Sequence, residues 1–356
     1  MKNINGRVKG LQQKFPEYAI DALLVTKPEN IFYLTGFTGG ADGRVLVTEN
    51  GLFLSTDRRY EQQAHLECPK TEIIIESAGG YKLLAHKYER LKKLGMESHH
   101  ITWQDYLGLK KIFTGALIPC AGVVETLRII KDEEELNLLR RSAAVNDEVF
   151  STVLNEIKPG ASETDIAAMI NHQYRLKGCN KEAFDIIALA GKNTALPHGR
   201  SGASLLKSGD MITIDMGVFY EHYVSDMTRT FALGAAGEKF EKLYNILREV
   251  QQMGIALVKP GVVCKEIDAA IRAFLKKHNL ADFFAHSTGH GIGLEIHEEP
   301  VVSLSGGVVL QKNMVITVEP GIYIPGWGGI RIEDSVIVKE NGCEVITKSP
   351  KEFIII

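Results

Sequence analysis

Apolar and polar residues alternate through the middle of the chain in a way that predicts a β-hairpin. From Ile212 to Met216 every second side chain is apolar, with Asp215 on the other face, which is typical of a half-buried strand. A β-branched and aromatic run at residues 224–233 predicts the return strand. With a tip at residues 220–221, Asp215 is expected directly opposite Asp226. Two facing carboxylates repel, so the pattern favours a bound cation or a shared proton. The alternative is a solvated hairpin.

A second hairpin near the end of the chain follows the same logic. Residues 314–320 predict a strand that ends on Glu319, and residues 329–335 predict the return strand. Arg331 and Glu333 are two positions apart and therefore share a face of that strand. An inward Arg331 would orient one carboxylate through paired hydrogen bonds. An exposed ion pair between the strands is the alternative.

The two hairpins belong to a pattern that occurs twice. The tripeptide Lys-Pro-Gly stands at residues 158–160 and again at 259–261, each time after a long amphipathic helix and before a shorter one. The four predicted helices cover residues 131–157 and 162–177, then 238 onwards and 264–278. A histidine-bearing loop and a strand pair with two acids follow each helix pair. This order predicts a duplicated α-α-β-β unit with a pseudo-twofold axis that brings the two hairpins face to face.

The first part of the chain has a different organisation. Short strands at residues 22–25, 45–47, 52–54 and 72–75, with helices at 57–66 and 81–94, predict a separate α/β module. Residues 33–39 and 56–60 are predicted loops at strand ends. We therefore expect an N-terminal α/β domain over residues 1–127 and a second domain over 128–356.

Composition limits the classes of function. The chain has 356 residues, 45% of them hydrophobic, and a net charge of -3 with mixed signs, so we expect neither a nucleic-acid nor a membrane partner. Its five cysteines are scattered and suggest neither a disulfide framework nor a zinc motif. The first residues lack an apolar signal region. These features favour a cytoplasmic protein.

The candidate chemistry is metal-assisted hydrolysis. Four carboxylates would be neutralised by two divalent ions, and ligands rich in oxygen with one imidazole suit Mn²⁺, with Co²⁺, Fe²⁺ or Zn²⁺ as alternatives. His198 and His297 are better suited to donate hydrogen bonds to a substrate carbonyl and an oxyanion. His286 would assist them or have a structural role. The candidate ligands are Asp215, Asp226, His290, Glu319 and Glu333.

The motifs that carry these residues resemble those of a known family. Asp215-Met-Gly, Ser225-Asp-Met-Thr-Arg, Ser287-Thr-Gly-His-Gly-Ile-Gly, Val318-Glu-Pro-Gly and Arg331-Ile-Glu-Asp are similar to the motifs of the pita-bread metallopeptidases. The N-terminal module and Leu196-Pro-His-Gly are similar to the Xaa-Pro branch, which comprises prolidases and aminopeptidase P. The resemblance implies a creatinase/prolidase-like α/β N-terminal domain and an α+β pita-bread catalytic domain.

The resemblance also implies a role for each residue. Asp215 would chelate one metal ion, Asp226 and Glu333 would bridge both ions, and His290 would bind the second together with Glu319. Glu319 would also act as the general base. By the same resemblance, His198 and His297 would contact the scissile carbonyl and the intermediate, and Arg331 would support Asp215. Apart from the resemblance, His286 is a candidate substrate-binding residue.

The implied substrates are proline-containing dipeptides or short peptides. The bond before proline is a tertiary amide and has no N–H. A site that holds the substrate by its carbonyl group does not need a hydrogen bond from that N–H. The resemblance implies an Xaa-Pro dipeptidase that forms homodimers, with the N-terminal domain contributing to substrate access and dimerisation. The alternatives are aminopeptidase P, which acts on longer peptides, and a non-catalytic pita-bread binding protein.

Overall fold

The structure is a computed structural model that describes residues 3–77, 81 and 91–356. It divides into two compact units, Met1–Arg128 and Ile129–Ile356. The helix predicted over residues 81–94 lies mostly outside the described residues. Its last two residues, Lys93 and Leu94, begin a strand instead, so that end of the prediction is wrong.

The first unit is built on a mixed six-stranded sheet. Strand β1 is buried at all four positions, as expected for an apolar run in the centre of a sheet. It pairs antiparallel to β2 and parallel to β5, and the strand order is β4-β3-β2-β1-β5-β6. The elements are α1 (Ile4–Gln12), α2 (Phe15–Tyr18), β1 (Ala22–Val25), α3 (Pro28–Thr35), β2 (Arg44–Thr48), β3 (Gly51–Thr56), α4 (Glu61–Glu67), β4 (Glu72–Ile75), β5 (Lys93–Glu97), α5 (Trp103–Ile112), β6 (Ala116–Cys120) and α6 (Glu125–Arg128), with a 3₁₀ turn at Gly40–Asp42.

Helix α3 corrects the prediction for residues 33–39. These were expected to form a loop, but Tyr33 and Leu34 lie in the last turn of α3 and are buried. Pro28 occupies the first turn, and Gly36 ends the helix with a left-handed φ of 81°. Both are established helix-terminus signals, so the sequence did contain the information.

The second unit contains four long helices in two pairs. They are α7 (Glu133–Glu156) and α8 (Glu163–Leu176), then α9 (Glu238–Leu257) and α10 (Cys264–Lys277), close to the predicted ranges. Capping boxes fix the first two starts, one between Asp132 and Glu135 and one between Ser162 and Asp165. Within residues 3–77, 81 and 91–356, no helix combines the length and hydrophobicity needed to cross a membrane.

The strands of the second unit form two larger sheets and two short hairpins. A three-stranded sheet has the order β11-β8-β7, and a five-stranded sheet has the order β13-β12-β14-β17-β18. The strands are β7 (Ile187–Ala190), β8 (Met211–Met216), β9 (Phe219–Tyr220), β10 (Tyr223–Val224), β11 (Met227–Ala232), β12 (Gly289–Gly291), β13 (Glu298–Val302), β14 (Val315–Val318), β15 (Gly321–Ile324), β16 (Gly328–Arg331), β17 (Asp334–Lys339) and β18 (Gly342–Val345), with 3₁₀ turns at Gly191–Ala195 and Ala281–Phe283.

Matching backbone hydrogen bonds relate the two halves of this unit. In each half, the residues after Lys-Pro pair with the strand-like segment that precedes the acid-bearing strands. Each half also has its own core, in which the helix pair packs on the sheet. The corresponding bonds are Gly160 N–Leu206 O, Leu206 N–Ala161 O and Glu163 N–Ser204 O in the first repeat, and Gly261 N–Leu310 O, Leu310 N–Val262 O and Cys264 N–Val308 O in the second.

The register of the first hairpin differs from the prediction. Asp215 lies opposite Thr228 rather than Asp226, because the tip is one residue later, at Glu221 and His222. Both tip residues have positive φ, 46° and 74°, which is the backbone of a two-residue type I′ turn. A shift of two in pairing leaves each side chain on its predicted face. The two carboxylates are therefore diagonal neighbours on one face.

The second hairpin is interrupted where its two acids face each other. Val318 pairs with Asp334 before the break, and Gly321 pairs with Arg331 after it. Counting inwards from either pair places Glu319 opposite Glu333. The return strand predicted over residues 329–335 is thus two strands, β16 and β17, with Glu333 between them.

Candidate metal centre

Hydrogen bonds join the two hairpins along β11. The amide of Glu333 donates to the carbonyl of Thr228 over 3.2 Å. The hydroxyl group of Thr230 makes two hydrogen bonds to the backbone of Arg331. It accepts from the N–H at 3.1 Å and donates to the carbonyl at 3.0 Å. These bonds bring the acid-bearing ends of the two repeats together.

Three of the five predicted ligands converge on one point, and a fourth, Glu319, lies beside His290. One ligand atom each from Asp226, His290 and Glu333 lies within 4.8 Å of the others. Nε2 of His290 is 3.5 Å from Oδ2 of Asp226 and 3.5 Å from Oε1 of Glu319. Two repeats thus contribute to a single cluster of acids around one imidazole.

His290 lies in a strand, not in the predicted glycine-rich loop. Its flanking glycines permit close strand packing: a Cβ at Gly289 would lie 2.0 Å from the Thr317 carbonyl oxygen, and one at Gly291 would lie 2.2 Å from that of Glu299. Nδ1 of His290 is 3.1 Å from the Gly291 carbonyl. Since a carbonyl only accepts, Nδ1 carries the proton and the lone pair of Nε2 faces the acids.

Asp215, the fifth predicted ligand, is held by Arg331. Nη2 of Arg331 donates to Oδ2 of Asp215 over 2.6 Å. The other oxygen, Oδ1, is buried and has no hydrogen-bond partner among the described residues. An ionised carboxylate rarely leaves a buried oxygen unpartnered, because the desolvation is not compensated.

Burial and mutual repulsion disfavour the ionised forms of these acids. Burial, followed by the charges of Glu333 and Asp215, raises the pKa of Asp226 well above its usual range. Burial and then the Glu333 charge raise the pKa of Glu319 in the same direction. Burial and then the Asp215 charge raise the pKa of Glu333 to about 8. The protein alone does not supply enough positive charge for this cluster.

Divalent cations fit this donor set. Burial, and then the charge of His297, lower the pKa of His290 to about 4, so its ring is neutral at neutral pH. A neutral Nε2 lone pair that faces two carboxylates at 3.5 Å is repulsive unless a cation or a proton lies between them. The unpartnered Oδ1 of Asp215 has the same requirement. Oxygen atoms with one imidazole suit Mn²⁺ and its neighbours in the first transition row.

The other three predicted histidines lie around this cluster. The rings of His297 and His290 are 4.4 Å apart at 66°. Burial, and then the charge of His198, lower the pKa of His297. Nδ1 of His286 lies 3.9 Å from Oε2 of Glu319. All nine sequence-predicted site residues therefore belong to one region of the second unit.

Two further residues contact the site and were not predicted. Thr228 donates to Glu333 at 2.7 Å and accepts from Nε of Arg331 at 3.0 Å. Its position two residues after Asp226, on the same face, was the available signal. Tyr323 has its hydroxyl 2.8 Å from Nε2 of His286 and accepts from Nη1 of Arg331 at 2.7 Å. No periodic pattern distinguishes Tyr323 in the sequence.

Comparison with known proteins covers almost the whole chain. Residues 137–340 match metallopeptidase family M24, and residues 7–130 match the Creatinase/Prolidase N-terminal domain. A solved Xaa-Pro dipeptidase from Bacillus anthracis is 39% identical with a TM-score of 0.96, covering 99% of this chain and 100% of its own. The Xaa-Pro dipeptidase of Pyrococcus horikoshii is 34% identical over 99% of this chain and 100% of its own length. A solved X-Pro aminopeptidase from Thermotoga maritima is 33% identical with a TM-score of 0.90, over 97% and 100%.

Proposed function

Because the chain belongs to metallopeptidase family M24, we propose that it is an Xaa-Pro dipeptidase whose centre binds two divalent metal ions. Family membership confirms the resemblance found in the sequence. It also confirms the predicted fold class, a creatinase N-terminal domain followed by a pita-bread catalytic domain. The observation that carries the proposal is the convergence of Asp226, His290 and Glu333 on one point, beside the unpartnered Oδ1 of Asp215.

The proposed ligands follow the predicted assignment. Asp215, Asp226, His290, Glu319 and Glu333 would hold the two ions, with the first two from one repeat and the other three from the second. When bound, such ions polarise a carbonyl and lower the pKa of an attacking water. We propose Mn²⁺ as the native metal.

The protein's own groups then move the protons. Glu319 accepts a proton from the attacking water and returns it to the proline nitrogen as the C–N bond breaks. His297 and His198 donate hydrogen bonds to the carbonyl oxygen as it becomes an oxyanion. Arg331 orients Asp215 through the hydrogen bond to its Oδ2. None of these contacts requires an N–H on the scissile amide, which the bond before proline lacks.

The names of relatives support dipeptides as substrates. Two of the three proteins compared above are Xaa-Pro dipeptidases, at 39% and 34% identity. The third is an X-Pro aminopeptidase, at 33% identity. We therefore propose dipeptidase activity. We also propose that the protein forms a homodimer. The experiment below distinguishes dipeptidase from aminopeptidase activity.

The test is a panel of Xaa-Pro dipeptides and matched Xaa-Pro-Yaa tripeptides, assayed with metal-free protein and after addition of each divalent ion. We expect metal-dependent cleavage of the dipeptides, with a higher kcat/KM than for the tripeptides. Glu319→Gln should abolish turnover while the fold is retained. Glu340→Gln, an exposed acid paired with Lys312, is the matched control and should retain full activity.

Each other outcome is decisive. A higher kcat/KM on tripeptides would make the protein an aminopeptidase. Metal binding without cleavage of either series would indicate a binding protein. Full activity of Glu319→Gln would remove that residue from the mechanism.

A further inference from the structure

A buried carboxylate at the start of α8, Glu163, accepts hydrogen bonds from both ends of the loop that carries His198. We propose that Glu163 is a positioning residue, which holds the loop formed by residues 191–202 so that His198 points at the reacting carbonyl. The role given to His198 rests on the proposed function. The clamp on the loop stands on the contacts of Glu163 alone.

Glu163 ties the two ends of the loop to one side chain. Its Oε1 accepts from the amide of Ala190 at 2.8 Å and from Nδ2 of Asn193 at 2.9 Å. Its Oε2 accepts from the amide of Gly202 at 3.0 Å. The residue is only 1% exposed. A buried carboxylate with three N–H donors forms strong charge-assisted bonds, so both ends of the loop are fixed relative to α8.

Within the loop Thr194 and Gly199 are buried, but the side chains around His198 have little packing of their own. His198 is exposed, as are Leu196 before it and Arg200 after it. A segment with few buried contacts is fixed mainly by its hydrogen bonds. One such bond lies beside the histidine, where Nη1 of Arg331 donates to the carbonyl of Pro197 over 3.1 Å. Arg331 therefore holds the loop next to His198, and Glu163 contributes to the hold at both ends. Thr164 also bonds the Gly202 carbonyl, through its amide at 3.0 Å and its hydroxyl at 2.9 Å, and Thr194 accepts from the amide of Gly329 at 2.8 Å.

The second repeat shows that the fold does not require this carboxylate. Cys264 occupies the position equivalent to Glu163. The amide of Glu163 donates to the carbonyl of Ser204 in the first repeat, and the amide of Cys264 donates to that of Val308 in the second. Cys264 is buried and has no acidic group. The α-α-β-β unit thus forms with either side chain. The carboxylate is present only in the repeat whose loop carries His198.

Glu163→Gln tests the proposal with little change in shape. An amide oxygen can accept from Ala190 and Asn193, but its NH₂ group then faces the amide of Gly202 and cannot accept from it. A displacement of about 1 Å at a reacting group costs up to about a hundredfold in rate, so we expect kcat to fall tenfold or more with little change in KM. Metal content should stay at the wild-type value.

The same substitution in a His198→Ala background separates positioning from general destabilisation. If Glu163 acts through His198, adding Glu163→Gln to His198→Ala should lower kcat no further. Asp165→Asn is the matched control. It loosens the capping box at the start of the same helix, where Asp165 bonds Ser162, and should change kcat less than twofold.

Equal losses of kcat from Glu163→Gln in both backgrounds would overturn the proposal. Amide hydrogen exchange gives a readout without activity: residues 191–202 should exchange faster in Glu163→Gln and at the wild-type rate in Asp165→Asn. An unchanged exchange rate of residues 191–202 in Glu163→Gln would show that Glu163 does not hold the loop. Should Glu163→Gln not fold, Asn193→Ala removes one of the three donors and must show the same dependence on His198. A wild-type protein that cleaves no Xaa-Pro substrate would refute the proposed function, while the exchange result would still decide on the clamp.

Discussion

Arg331 donates to one oxygen of Asp215 over 2.6 Å and leaves the other oxygen buried without a hydrogen-bond partner among the described residues. The guanidinium group is planar and also bonds Tyr323, Thr228 and the Pro197 carbonyl. A single side chain thus orients a proposed metal ligand so that its unpartnered oxygen remains available to a cation.

Arg331→Lys should weaken both metal binding and catalysis. A lysine carries the charge but cannot donate in several fixed directions at once. Loss of a group that orients a metal ligand costs about tenfold to a hundredfold in affinity, which a Mn²⁺ titration would measure. Arg140→Lys is the control, since Arg140 makes a two-point contact with Glu344 at 2.8 Å on the surface. Equal metal affinity in the wild type and Arg331→Lys would contradict the role of this contact.

The metal-free protein should lose stability as the pH rises from 6.5 to 8. The folded-state pKa of Glu333 is about 8, above its ordinary value of 4.5, so the folded state binds more protons than the unfolded state between these values. The free energy of unfolding therefore falls with pH, by up to about 1.4 kcal/mol per pH unit for each such group. Asp226 and Glu319 act in the same direction.

The histidines do not obscure this trend. The pKa values of His286 and His290 are lowered to about 4 from 6.5, so they make stability rise with pH only below 6.5. Urea unfolding of metal-free and Mn²⁺-saturated protein across pH 6.5–8 is the measurement. Bound cations should reduce the dependence of the free energy of unfolding on pH. A metal-free protein whose stability stays constant or rises over this range would argue against the clustering of the acids.

Asp334→Asn should destabilise the second unit strongly. Asp334 is fully buried and accepts from Arg229 at 2.8 Å, Gln251 at 2.9 Å and Thr347 at 2.8 Å, and it also pairs with Lys351. Removing one partner of a buried ion pair costs about 3–5 kcal/mol, because the remaining charge is uncompensated. Urea unfolding with saturating metal would show the loss.

Glu340→Gln provides the comparison for Asp334→Asn. It breaks the pair between Glu340 and Lys312, in which both side chains are more than half exposed. Exposed pairs are screened by water, so no measurable change in the free energy of unfolding is expected. Similar effects of the two substitutions would mean that burial does not determine the strength of the Asp334 contacts.

Glu221→Asn should stabilise the hairpin that carries Asp215 and Asp226. Glu221 has a φ of 46° at the tip, a conformation that asparagine adopts more readily than glutamate. The gain should be about 0.4–1 kcal/mol, as for other substitutions that suit the native backbone. Glu221→Ala keeps the unfavourable φ and should give no gain. A decrease in stability with asparagine would show that the glutamate side chain has a role at the tip.

The sequence predicted most of the site because strand alternation places side chains on faces. Alternation alone placed Arg331 and Glu333 on one face of their strand, and Asp215 with Asp226 on one face of the first hairpin. The exact pairing could not be predicted, because Glu221 and His222 form a type I′ turn without the asparagine and glycine that usually mark one. The strand at His290 is three residues long and is fixed by pairing with distant strands, which no local pattern records.

Several properties remain predictions for physical reasons. The ligand set suits more than one divalent ion, so the sequence does not determine the metal. The homodimer and the cytoplasmic location depend on contacts and conditions outside a single chain. The domain boundary predicted at residues 127–128 and the roles of the two domains also stay predictions.

The repeated unit has a consequence for the origin of the centre. Asp215 and Asp226 come from one copy, while His290, Glu319 and Glu333 come from the other, so a lone copy holds an incomplete set of ligands. An ancestor with a single copy would have had to associate with another molecule to bind metal in this way. Fusion into one polypeptide replaces that encounter with a fixed effective concentration, so assembly of the centre no longer depends on how much protein is present.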